Sequence, residues 1–236
     1  MLVCHLKNVR TYGAKNADHE AKRARMVAAI APVVMQAAPA RPSLREMAKA
    51  AGVSVNNLRH YFGTREGLLQ AVFEAMGVAG EPYMRRAMSF TAMPAEEGLR
   101  KLVGEVVEAW TPHQIGGLHR SGISEGLGSE ALGPAYVQHI LEPLLTVVED
   151  MLESWCARGD LVIPDLRAAA LSFMAPVVLA LIHQRGLGGG GCRPLDFEPF
   201  LDNHVAGFVR GYAPQGQGAE PARSTTDVAE PAANHG

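Results

Sequence analysis

Cysteine is scarce: Cys4, Cys156 and Cys192 are the only three in 236 residues, and no two stand at a metal-binding spacing. That excludes a disulfide-stapled scaffold and a cysteine-ligated zinc module, and it makes a reduced, cytoplasmic setting the expectation. Long apolar runs are missing too. The longest, 168–182, is interrupted by Ser172 and Pro176 and is shorter than the ~20 residues a membrane-spanning helix needs. No apolar stretch of signal-peptide length follows the first charges. Strand-like alternation is absent, so an all-α fold is expected. No Ser/His/Asp or Cys/His set has a recognisable signature, and no enzyme or cofactor is expected. His113, His119 and Glu125 lack the three- or four-residue separations of a helical metal pair, so no metal is expected either. The glycine run 186–191 follows a helical segment rather than a strand, which removes the phosphate-cradle geometry and leaves a flexible link between helices.

The formal net charge of −2 is uninformative until the chain is divided. Residues 1–80 hold 11 Lys and Arg against 5 Asp and Glu, a net of +6; the remainder holds 11 against 19, a net of −8. A basic N-terminal unit on an acidic body is the electrostatic footprint of a nucleic-acid-binding module joined to a part that does not bind. With 47% hydrophobic residues the chain can bury a substantial core, enough for one small and one larger domain.

Residues 43–73 carry the sharpest signal. Ser43 with Glu46 forms a capping box, so a helix begins at Leu44 with Leu44, Met47, Ala48 and Ala51 on one face. Gly52 provides a tight turn and Val53 plugs it. Ser54 caps a second helix with Leu58, Tyr61 and Phe62 inward. Gly63-Thr64 breaks that helix, and Thr64 caps another carrying Leu68, Leu69, Val72, Phe73 and Met76. This is a helix-turn-helix, which places its second helix in a DNA major groove.

These residues resemble the DNA-binding domain of the TetR family of bacterial transcriptional regulators. The match is carried by Ser43, Met47-Ala48, the Ala-Gly-Val-Ser run 51–54, the aromatic pair Tyr61-Phe62, and Arg65-Glu66 with Leu68-Leu69. It covers about the first third of the chain. By that resemblance Ser43, Ser54, Val55, Asn56, Asn57, Arg59, His60, Tyr61 and Arg65 are the expected contacts to double-stranded DNA. Three departures stand out: Asn56 and Asn57 replace a small residue and a Thr, Arg59 replaces a phosphate-contacting Tyr, and Arg65 replaces a Lys. Asn suits adenine and Arg suits guanine in the major groove, so an operator preference of its own is expected.

The expected organisation is a flexible basic arm at 1–17, a three-helix helix-turn-helix domain at 18–79, a larger helical effector-binding and dimerisation domain at 80–213, and a disordered tail at 214–236. The first helix should run over 18–37 with Pro32 kinking or shortening it. Apolar stripes follow at Leu99 to Trp110, Leu141 to Trp155 and Phe197 to Tyr212, with 165–185 apolar nearly all round. The resemblance implies a homodimer through 165–185 and 197–212. It also implies a pocket for a small apolar or aromatic effector, with Trp110, His113, His119, Met151, Trp155, Phe173, Met174 and His183 as candidate lining. The expected function is a soluble, ligand-responsive repressor acting as a homodimer on a palindromic operator. The alternatives are a helical carrier or enzyme retaining a helix-turn-helix, and an effector-independent DNA-binding dimer.

Overall fold

The computed structural model describes residues 12–36, 41–111 and 115–214, with side chains from residue 17 onward. Of the expectations above, residues 1–11 of the arm, His113, and residues 215–236 of the tail lie outside the described residues. Among the described residues every regular element is helical.

The first helix, α1, spans Tyr12–Gln36. It therefore takes in the last residues of the expected arm, and it continues past Pro32 for another turn. α2 (Leu44–Ala50) starts on the predicted capping box: the Ser43 N–H donates to Glu46 at 2.7 Å and the Glu46 N–H returns to Ser43 Oγ at 3.3 Å. Gly52 makes the turn at φ +65°, a conformation that a side chain with a Cβ avoids. α3 (Val55–Phe62) is capped by Ser54 and stops at Gly63, whose φ is +69°. α4 (Arg65–Met88) is capped by Thr64. It runs unbroken through the boundary expected at 79/80, even though Pro82 lies inside it and has no N–H to donate to the Val78 carbonyl. Around α4 the N-terminal core gathers Ile30 and Val34 of α1, Met47 of α2, Leu58 of α3, and its own Leu68, Leu69, Val72 and Phe73.

A 3₁₀ turn, Ser89–Ala92, leads into α5 (Ala95–Ala109). α6 (Ile115–Gly126) is followed by α7 (Leu132–Tyr136), which passes through a π turn, Val137–Leu141, into α8 (Glu142–Ala157) with helical backbone throughout. α9 (Leu166–Leu181) ends in a second π turn, Ile182–Gly186. Together they form a 21-residue helix, Leu166–Gly186, longer than the apolar run predicted, in which an 18-residue stretch has mean hydropathy 1.8. One face (Ala169, Ala170, Phe173, Met174, Val177, Leu181) is buried in the main core; the other exposes Ala168, Leu171, Ser172, Ala175, Pro176 and Leu179.

The glycine run is shorter and better held than a flexible link. Gly189–Cys192 forms one helical turn, α10, and Gln184 bridges the loop, donating to the Arg193 carbonyl and accepting from the Leu195 N–H, both at 3.0 Å. The last helix, α11 (Phe197–Tyr212), buries Leu201 and Val205 beside α5.

The main core centres on Trp155, which donates its indole N–H to the Met93 carbonyl at 3.0 Å and fills the space above Gly98. A Cβ on Gly98 would come within 2.6 Å of the Trp155 ring and 2.8 Å of the Phe90 carbonyl oxygen. Gly98→Ala should therefore overpack the core and cost about 1–3 kcal/mol. In a chain of this size that lowers the thermal midpoint by roughly 2–4 °C per kcal/mol. A melting curve of the variant beside the wild type checks it, and an unchanged midpoint would contradict the packing described.

Candidate nucleic-acid interface

Asn56, Asn57, Arg59 and His60 are all exposed on one side of α3, while Leu58 on the other side is 1% exposed. The helix thus has a polar outer surface on an apolar seat. Ser43 and Ser54 stand at the N-caps of α2 and α3, where their oxygens accept backbone N–H groups; Val55 is half-buried. Tyr61 is half-buried and stacks on His19 of α1, with ring centroids 4.5 Å apart. Arg23, one turn further along α1, lies 5.3 Å over the Phe62 ring. His19 and Arg23 were not anticipated. Their four-residue spacing on α1 was the only available signal, and it does not reveal what lies opposite.

Arg65 is placed differently from the expectation of a DNA contact. Its Nε donates to the Pro42 carbonyl at 3.2 Å, Nη1 to Glu125 Oε2 at 2.9 Å and Nη2 to Glu125 Oε1 at 2.5 Å. Glu125, on α6, is 3% exposed. Hydrogen bonding from Arg65 holds its carboxyl below the usual glutamate range, and the same bond raises the Arg65 guanidinium. Arg41 approaches from the solvent side, with Nε 3.8 Å from Glu125 Oε2 and a hydrogen bond to the Ser124 carbonyl. Glu125, weighed in the sequence only as a metal ligand, is instead the acceptor for these arginines. Among the described residues no group of three metal-ligating side chains occurs.

α6 also grips the end of α1. Ser121 Oγ donates to the Val34 carbonyl at 2.9 Å and Arg120 to the Met35 carbonyl at 3.3 Å. Both carbonyls lie in the last described turn of α1, where a cation also suits the helix dipole.

The expected effector residues do not converge on one space. Trp110 and His119 do meet, stacked at 4.7 Å, and His119 Nδ1 is hydrogen-bonded to the Tyr136 hydroxyl, a partner that sequence spacing could not supply. Burial lowers the His119 pKa to about 4 and raises that of Tyr136, so the pair is a neutral imidazole on a neutral phenol. Met151, Trp155 and Phe173 are fully buried and Met174 nearly so, all within the main core. Phe173 packs on His204 at 5.1 Å and Phe208 at 4.8 Å. His183 is exposed. In this structure the large side chains among them, Met151, Trp155, Phe173 and Met174, fill the core. An open depression of about 580 Å³ lies elsewhere, at the start of α11, between Leu195, Asp196, Pro199, Phe200, Asn203 and His204.

A capped, glycine-turned helix pair with a polar outer helix, seated on a larger helical body, defines a helix-turn-helix regulator architecture. The sequence model for the C-terminal domain of AefR-like transcriptional repressors matches residues 97–214, half of the chain. The chain belongs to the TetR family of transcriptional regulators. Solved structures agree on the fold. A protein of Mesorhizobium loti assigned to that family has a TM-score of 0.66 at 18% identity, over 83% of this chain and 98% of its own. Escherichia coli NemR in its reduced form gives 0.61 at 19% identity, over 81% and 97%. The transcriptional regulator FadR of Bacillus subtilis, in complex with stearoyl-CoA, gives 0.58 at 16% identity, over 80% and 98%. No protein of curated function matches.

His119 generates a pH prediction. Its pKa falls from 6.5 to about 4 on folding, so between those values the unfolded chain binds the proton and the folded chain does not. The stability tied to neutral His119 is fully present above pH 6.5 and is lost as the pH falls toward 4. Denaturant titrations at pH 7, 6, 5 and 4.5 should show wild type losing stability relative to His119→Gln. Parallel curves would mean His119 is not buried as described.

Proposed function

We propose that the protein is a DNA-binding repressor that acts as a cytoplasmic homodimer on a palindromic operator. The observation that carries this reading is the exposed row Asn56, Asn57, Arg59 and His60 on a helix held rigidly by two caps and an apolar seat. Asn and Arg are the side chains that pair two-pronged with adenine and guanine edges. Ser43, Ser54, Val55 and Tyr61 flank that row and contact the DNA backbone in this reading. Repression accords with the repressor domain model that residues 97–214 match.

Dimerisation is supported by the exposed side of α9, where Ala168, Leu171, Ser172, Ala175, Pro176 and Leu179 present a continuous surface of mostly small apolar residues. Soluble proteins avoid leaving such a surface in water. With α11 beside it, a second copy packs there, and two-fold symmetry sets two α3 helices in successive major grooves about 34–36 Å apart. The helix-turn-helix domain at 18–79 and the body at 80–213 then divide the work of reading DNA and pairing.

Control by a small apolar or aromatic effector is part of this reading; the FadR neighbour is in complex with stearoyl-CoA, a larger ligand whose acyl chain is apolar. The mechanism is a population shift, limited by how much better the effector binds the state that misfits the operator. A second reading, a dimer that binds DNA without any effector, is favoured by one observation: five of the residues expected to line a pocket, Trp110, Met151, Trp155, Phe173 and Met174, are buried in the main core. Hydrogen exchange with and without long-chain acyl compounds separates the two, since only the first predicts protection in α5, α6 and α8.

Selection of bound sequences from a random duplex pool near physiological salt tests the main reading. An enriched palindrome is expected, and folded protein that enriches nothing would defeat it. On the selected operator, Arg59→Ala should cost ~1–3 kcal/mol and relax preference at one position per half-site. Gly52→Val, which puts a β-branched side chain at φ +65°, should abolish operator binding while leaving the dimer intact by light scattering.

A further inference from the structure

We propose that Arg65 and Glu125 form a positioning clamp that sets the angle of the recognition helix relative to the body, and that Arg65 is not a DNA contact. The proposal rests on the reading of the protein as a dimeric operator-binding regulator. It names the pair through which the body holds α3.

Arg65 is the first residue of α4 and stands two residues beyond Gly63, where α3 ends. Each of its three guanidinium nitrogens donates to a different acceptor atom, and the acceptors belong to two other segments: Pro42, just before α2, and Glu125, near the end of α6. One planar group therefore joins the entrance of the helix-turn-helix, its exit and the body. Such a planar fork fixes orientation as well as distance.

The carboxylate side is equally committed. Glu125 is the only fully buried acidic residue among those described. Arg65 and Arg41 lie over it, and releasing Arg65 to a phosphate would cost the carboxylate both hydrogen bonds that its two oxygens accept. Arg41 does not replace it as it stands, because its Nε is 3.8 Å away and its side chain is 56% exposed. Glu125 itself sits on a helix that cannot easily drift. Four residues earlier Ser121 is bonded to the Val34 carbonyl, and at Gly122 an added Cβ would lie 2.2 Å from the Tyr136 ring. At Gly126 it would lie 3.2 Å from the Gly133 backbone. A change in the pose of α6 thus reaches α3 through a bonded path rather than through loose packing. In a dimer held at its bodies, that pose decides how far apart the two α3 helices stand.

The two roles for Arg65 predict opposite results for Glu125→Gln in the full-length protein. A clamp predicts weaker binding to the operator selected by wild type, by about 2- to 30-fold. The dependence of affinity on salt should be unchanged, because no phosphate contact has been lost. When the pool is repeated with half-site spacing randomised, the variant should accept spacings that wild type rejects. Arg65→Lys keeps the charge and loses the fork, so it should behave like Glu125→Gln. A DNA-contacting Arg65 predicts the reverse: Glu125→Gln removes only a competing carboxylate and leaves binding equal or tighter with the same half-site spacing, and Arg65→Lys, which keeps the cation, binds like wild type. Either of those results overturns the clamp. So does weaker binding with unchanged spacing preference, which signifies general loosening. If Glu125→Gln fails to fold, judged by its melting curve, Arg65→Lys decides by the same two readouts. Wild type that selects no palindrome would instead defeat the underlying function and leave the clamp geometry as a structural feature only.

Discussion

A buried carboxylate must find its countercharge inside the protein, and the position of Glu125 makes that requirement organise the molecule. Its partner Arg65 lies where α3 hands over to α4, so satisfying one interior charge also fixes the smaller unit against the larger. Buried ion pairs often add little net stability, because desolvating both groups offsets their attraction. What they do supply is intolerance of misplacement: a shift of an ångström or two costs far more than the same shift between apolar surfaces. The remaining α6 contacts share that character. Serine and arginine meet two carbonyls near the end of α1, and glycines admit the Tyr136 ring and the α7 backbone where a side chain would crowd them.

The molecule therefore has a rigid junction and two unsatisfied faces. One is the polar outer side of α3, which has donors and acceptors in excess of anything the chain offers it. The other is the apolar outer side of α9, in a helix whose most apolar 18 residues have mean hydropathy 1.8 and are one-third buried. The exposed ion pairs near these faces, Arg100 with Glu198 and Asp202 and Arg167 with Glu142 and Glu149, fasten α5 to α11 and α8 to α9. Exposed pairs of this kind contribute little energy.

Much of this was legible in the residues because it depends on local chemistry. The capping box at Ser43, the turn at Gly52, the caps at Ser54 and Thr64 and the inward stripe of α4 are decided within a few residues, and each appears where the spacing predicts it. Helical periodicity likewise marked the buried stripes of α5, α8 and α11. The bond between Arg65 and Glu125, 60 residues apart, could not be read this way. Nor could the Tyr136 hydroxyl on His119, or the tilt that puts His19 of α1 against Tyr61. Such pairings depend on where whole helices land, which no local rule contains. The start of α1 at Tyr12 escaped for another reason: 12–17 lack an apolar stripe, and periodicity sees a helix only where one face is buried.

The expected effector pocket shows why aromatic residues at helical spacing are ambiguous. A Trp on an inward face can border a cavity or fill one, and the outcome is set by the residue opposite. Here that residue is Gly98, which leaves open the volume Trp155 needs, so the ring fills space that would otherwise be a cavity. Arg65 presents the same problem in polar form. A cation at the head of α4 can reach outward to a phosphate or inward to a carboxylate, and the residue opposite again decides. Lysine, the usual occupant by family resemblance, is a point charge on a flexible stem that any anion satisfies. Arginine's planar fork matches the two oxygens of a carboxylate, and Glu125 presents both of them from a buried position. The substitution that looked neutral for charge is thus selective for geometry, and the geometry it selects lies within the protein.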